Sequence, residues 1–138
     1  MKDKIELVKA WIKKAENDLI AARYLITIKP NSPLDAVCFH AQQSAENYFK
    51  AYLTYKEVEF PKTHDLGELI VLASKIDGSF ADLIDIGEKL TDYAVDIRCP
   101  LLVEEPTLEE AKEAIEIVEE IKKFVLERLK VSKGDRKV

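Results

Sequence analysis

Cys38-Phe39-His40-Ala41-Gln42-Gln43-Ser44-Ala45-Glu46-Asn47-Tyr48-Phe49-Lys50-Ala51-Tyr52-Leu53 contains neither Gly nor Pro and reads as helix. Its apolar residues do not keep to one face. Cys38, Ala41, Ala45, Tyr48 and Tyr52 form one stripe, and Phe39, Phe49 and Leu53 lie on another side. A helix apolar on several sides is covered on several sides by other helices. This one also carries His40, Gln42, Gln43, Glu46, Asn47 and Lys50. Polar groups on a central helix must be hydrogen-bonded, open to a groove or placed at an interface. The stretch therefore predicts an all-helical fold built around it, and puts function beside it.

Working outward, the residues before it predict a helix over about 4–28. Ile5, Val8, Ile12, Ala15, Leu19, Ala22 and Ile26 alternate spacings of three and four, a seam that lies along a partner helix. Trp11 flanks the seam as core or as the lid of a groove. Pro30-Asn31-Ser32-Pro33 separates this helix from the central one, with Ser32 as the expected N-cap and Pro33 at the first helical position. So short a link makes an antiparallel hairpin. After a loop over 58–66, Thr63 or Asp65 can cap a third helix over about 66–76. Asp77-Gly78-Ser79 is a turn, and a fourth helix over about 80–97 is expected to bend near Gly87. Thr107-Leu108-Glu109-Glu110 has the spacing of a capping box, opening a last helix to about 130. The expected fold is an all-α, up-and-down helical bundle of four to five helices, with two long antiparallel pairs and a short helix between them. It occupies residues 1–130, with a frayed basic tail over 131–138.

At 138 residues the chain fits one domain. A net charge of −5 argues against broad electrostatic capture of nucleic acid and leaves room for a local basic patch. No apolar run is long enough to span a bilayer, and the charged first residues do not resemble a signal peptide. Cys38 and Cys99 sit in no metal-binding spacing, so a reduced, cytoplasmic setting is expected. The scattered glycines form no phosphate loop and there is no Glu-x-x-His pair, so neither cofactor nor metal is expected.

Three groups of residues could carry chemistry. His64-Asp65 pairs an imidazole with a carboxylate, or simply fills a loop before a helix. Tyr93 and Asp96 share a helical face that runs into Arg98, whose fork could hold a phosphate or merely satisfy the end of its own helix. His40, Gln43, Asn47 and Lys50 share one face of the central helix, as a groove wall or dimer seam, or as a solvated stripe with Glu46–Lys50 as a surface ion pair.

The landmarks in order are Ala15-Glu16-Asn17-Asp18-Leu19, Cys38-Phe39-His40-Ala41-Gln42-Gln43-Ser44-Ala45-Glu46 with Lys50-Ala51-Tyr52-Leu53, Thr63-His64-Asp65-Leu66, Tyr93 with Arg98-Cys99-Pro100, and Thr107. Together they resemble the HEPN family, the higher eukaryote and prokaryote nucleotide-binding domain, over about residues 5–128. The resemblance implies a helical bundle that forms a homodimer around a cleft. It also implies nucleotide or RNA binding, and a small nucleotidyltransferase as partner in a toxin–antitoxin pair. Several members of the family are metal-independent ribonucleases whose signature is an Arg and a His separated by four to six residues. Arg98 matches that Arg, but Val103, Glu104 and Glu105 stand where the His would be, and Cys99 replaces the Tyr of the family's Arg-Tyr-Pro variant. The expected function is thus a binding module, with a ribonuclease using a variant site (His64 and Arg98) or a purely structural module as alternatives. Arg98, Tyr93, Asp96, His64 and Lys50 are the expected ligand contacts, and His40, Gln43 and Asn47 the expected interface.

Overall fold

The computed structural model describes residues 2–94 and 105–129. In the described residues the chain is all-α. Helices α1 (Lys2–Leu25), α2 (Leu34–Tyr55), α3 (Leu66–Ser74), α4 (Ile84–Tyr93) and α5 (Leu108–Leu129) follow one another, with a 3-10 helix (Gly78–Leu83) leading into α4. Helix α2 is the hub, packing on α1 and α5 along its length and on α3 and α4.

The α1 seam explains that hub. Val8, Ala15, Leu19 and Ala22 are fully buried, while Ile5, Ile12 and Ile26 are half-buried. Ala15 and Ala22 on α1 and Ala41, Ser44 and Ala45 on α2 are small and fully buried, so the two backbones can run close. Ser44 donates its hydroxyl to the Ala15 carbonyl at 2.8 Å, using an acceptor that would otherwise be shared only within α1. Contacts run from Ala15 with Ser44 back to Lys4 with Glu57, so the pair is antiparallel.

On the other side of α2, Phe49 and Tyr52 enter the core with Phe80 and Phe124. The rings of Tyr52 and Phe80 are 4.5 Å apart, and Phe80 meets Phe124 edge-to-face at 4.9 Å. Arg128 stacks its guanidinium 3.4 Å from the Phe124 ring and reaches Asp77 at 3.1 Å and Ser79 at 3.0 Å. The end of α5 is thereby tied to the turn before the 3-10 helix.

The helix ends mix expected and unexpected devices. Thr107 and Glu110 close the capping box reciprocally at 3.1 and 2.9 Å. Asp65 caps α3 by accepting from the Gly67 amide, while Thr63 accepts from the Asp65 amide. Ser32 does not cap α2. Its hydroxyl turns back to the Leu25 carbonyl at 2.8 Å, closing the end of α1, and Pro33 takes the cap position with no side-chain bond. The Leu25 carbonyl also accepts from the Ile28 amide, so the Ser32 hydroxyl is a second donor that fastens the linker to the end of α1, while Asp35 accepts from the Ala36 amide at the start of α2.

Helix α2 ends in a Schellman arrangement, Val58 amide to Leu53 carbonyl and Glu57 amide to Thr54 carbonyl. Glu57 sits at φ 60, where glycine is usual. The fourth helix is not one bent rod from 80. The break comes at Leu83–Ile84, where the 3-10 helix capped by Asp77 gives way to α4, and α4 runs unbroken through Gly87. Gly87 is there for close approach. A Cβ at that position would lie 2.6 Å from Ile70 Cδ1 of α3.

Candidate functional site

The polar side of α2 is organised by two carboxylates, one buried and one half-buried. Glu46 is 2% exposed and Lys50 8% exposed. Lys50 Nζ donates to Glu46 Oε2 at 2.8 Å, an i,i+4 pair that is buried rather than solvated. Lys50 Nζ also lies 5.4 Å from the centre of the Trp11 ring and 5.8 Å from that of Phe60, beside two rings that meet edge-to-face. The other side of the Glu46 carboxylate faces the loop before α3. His64 Nδ1 stands 3.0 Å from Oε1 and 3.2 Å from Oε2. One turn earlier, Gln42 donates its amide to the His64 carbonyl at 2.8 Å. Gln42, Glu46 and Lys50 thus form a ridge on α2 along which the loop is laid, main chain at one point and imidazole at the next. The His64 side chain is nonetheless 81% exposed.

Two buried polar atoms in this region have no protein hydrogen-bond partner among the described residues, Gln42 Oε1 and Trp11 Nε1. Lys14 lies 5.8 Å above the same Trp11 ring, whose edge meets Phe60 at 6.1 Å. The rim of the ridge therefore combines the Lys14 ammonium, an indole, a phenyl ring and a presented imidazole.

The second carboxylate is Asp18 of α1. It meets His40 Nδ1 at 3.0 Å and accepts from Asn47 Nδ2 at 3.3 Å. His40 and Asn47 are thus engaged with α1, and Gln43, half-buried, lies between them and the His64 ridge. Farther down, Tyr48 donates its phenol to Glu16, which also pairs with Lys122 of α5 at 2.9 Å. Burial works to raise the Glu16 carboxyl, but the bonds from Tyr48 and Lys122 and the nearby Arg23 hold it below its ordinary value. Burial, with Glu16 beside it, pushes the Tyr48 phenol well up.

Tyr93 belongs to a separate group. Its hydroxyl donates to Glu113 of α5 at 2.6 Å, and Lys89 pairs with the same carboxylate at 2.9 Å. The bond to Glu113 pushes Tyr93 up to about 12. Asp96, Arg98 and Cys99 lie outside the described residues, as does the tail. Of the expected site residues, then, Lys50 and His64 meet at Glu46, His40 and Asn47 meet at Asp18, and Tyr93 faces α5.

Sequence spacing passed over Glu46 and Asp18 as organisers, and Gln42 as the clasp of the loop. The available signal was the i, i+4, i+8 row Gln42, Glu46, Lys50 beside the stripe already singled out. Among the described residues no group of three or more His, Cys, Asp or Glu is placed to hold a metal ion, and no helix is long and apolar enough to cross a membrane.

A bundle centred on one polar-ridged helix, with a capped histidine loop laid on that ridge, has relatives among known proteins. The HEPN domain model matches residues 8–129, and the chain belongs to the HEPN family. The structure is similar to the crystal structure of ST0689, described as an archaeal HEPN homologue. The two are 27% identical with a TM-score of 0.69, over 88% of this chain and 96% of that one. No curated protein matches the chain.

Proposed function

We propose that this HEPN chain is a binding module that forms a homodimer, takes a nucleotide or single-stranded RNA at the His64 ridge, and works beside a small nucleotidyltransferase, as in toxin–antitoxin pairs. One observation carries the ligand reading. His64 is held by a buried carboxylate while its ring is 81% exposed, next to a rim of Trp11, Phe60 and Lys14. Aromatic faces and local cations are what a base and its phosphate require, and they need no overall positive charge. Dimerisation is supported by Ile20 (58% exposed) and Tyr24 (70% exposed), one turn apart on the side of α1 away from its seam. The nucleotidyltransferase partner rests on family membership alone.

The exposed imidazole on a carboxylate also favours a second reading, a metal-independent ribonuclease in which His64 moves a proton and Arg98 holds the phosphate. One set of measurements separates the two. Sedimentation equilibrium gives the assembly, where a monomer at all concentrations refutes the dimer. Nucleotides and short RNA are then added with a chelator present. Thermal stabilisation without cleavage supports the module. Cleavage lost in both His64→Ala and Arg98→Ala supports the enzyme, and neither response refutes both ligand readings.

A further inference from the structure

The Glu46 carboxylate does more than bury a charge. It receives one hydrogen bond from the Lys50 ammonium, and its remaining lone pairs face His64 Nδ1. A carboxylate accepts and does not donate, so the proton on that side must sit on the imidazole. The partner of one ring nitrogen thereby decides the state of the other. With Nδ1 committed as donor, the neutral ring carries its free lone pair on Nε2, on a side chain that is 81% exposed. Neutral imidazole in water favours the opposite tautomer, so this assignment is imposed by Glu46. The loop has little freedom to undo it. Gln42 holds the His64 carbonyl, and Asp65 and Thr63 are bound into the cap of α3.

We propose that Glu46 is a positioning residue that fixes the His64 tautomer and makes Nε2 a directed hydrogen-bond acceptor for a ligand hydroxyl, the 2′-hydroxyl of RNA. This rests on the ligand reading given above and sharpens it. An acceptor at the rim selects a ligand that carries a donor, and the 2′-hydroxyl is the donor that RNA has and DNA lacks. The charged groups against the ring are Glu46 and, behind it, Lys50. Their charges cancel, so the pair directs the ring's proton without adding net charge at the rim.

The test is long-range proton–nitrogen NMR of the histidine rings in labelled protein, at a pH where they are neutral. His64 is expected with its proton on Nδ1 and Nε2 bare. In Glu46→Met/Lys50→Met, which removes the buried pair as a unit, His64 is expected to pass to the Nε2-protonated form. His40, held by Asp18, keeps its own signal and reports that the fold survives. A proton on Nε2 in the unaltered protein, or a tautomer unchanged by the double variant, overturns the proposal. Short RNA and the DNA of the same sequence are then added. The Nε2 signal is expected to move with RNA only. A response to both overturns the hydroxyl assignment. The expected tautomer with no response to either overturns the ligand reading and leaves the role of Glu46 standing.

Discussion

Removing one member of the Glu46–Lys50 pair should be far more damaging than removing both. Their side chains are 3% and 10% exposed, so neither charge can be rescued by water without opening α2 against the 60–66 loop. Breaking a buried pair by truncating one partner costs about 3–5 kcal/mol, because the survivor keeps its desolvation penalty and loses its counter-charge. The two halves are not equal. Lys50→Met leaves Glu46 with His64, whereas Glu46→Met leaves Lys50 with only the rings of Trp11 and Phe60. Glu46→Met should therefore sit at the upper end of that range and Lys50→Met at the lower. For a chain of this length each kcal/mol moves Tm by roughly 3–4 °C, so the single variants should melt roughly 10–20 °C lower. The double variant replaces both charges by side chains of similar length and should return to within about 1–2 kcal/mol of the parent. Urea denaturation of all four proteins, treated as a double-mutant cycle, gives the coupling directly. Two additive, small losses would refute the reasoning, since they would mean that the pair is solvated.

Further outcomes follow from the same geometry. Glu57→Gly should stabilise by about 1 kcal/mol, since Glu57 occupies the left-handed position of the α2 end at φ 60 and its bond to Lys4 is exposed; denaturation midpoints check this. Asp65→Ala should cost about 1 kcal/mol through the lost α3 cap, measured the same way. At high pH, burial holds Cys38 up at about 12 from 9, and the Glu113 bond holds Tyr93 at about 12 from 10. The fold then keeps protons that the unfolded chain has released, so stability is full below pH 9 and falls as pH rises toward 12. Tyr93→Phe should make that decline shallower between pH 10 and 12, and a melting series against pH would show an unchanged slope if the Tyr93 bond is absent.

Much of the architecture was legible because it follows from local rules. The α1 seam, the capping box at Thr107 and the choice of Asp65 or Thr63 before α3 need only neighbours a few residues apart. What was not legible depends on contacts made across the chain. Ser32 looked like an N-cap until the end of α1 supplied another partner for it. Gly87 looked like a bend because glycine frees the backbone, yet its missing side chain is what lets α4 approach Ile70. The Glu46–Lys50 pair has the spacing of a surface ion pair, and nothing within α2 says that Trp11, Phe60 and His64 cover it. His64 itself was visible as a candidate, but its partner is a carboxylate eighteen residues earlier rather than the adjacent Asp65.

The central claim is that the His64 ridge receives RNA or nucleotide. Fluorescence anisotropy of a labelled single-stranded RNA, with a chelator present, tests it most directly when the parent is compared with His64→Ala and His40→Ala. Saturable binding that His64→Ala weakens about tenfold or more, and that His40→Ala leaves nearly intact, is the predicted result; tenfold corresponds to roughly 1.4 kcal/mol, the scale of one hydrogen bond. Equal affinity for the parent and His64→Ala, or no binding by the parent, would contradict it.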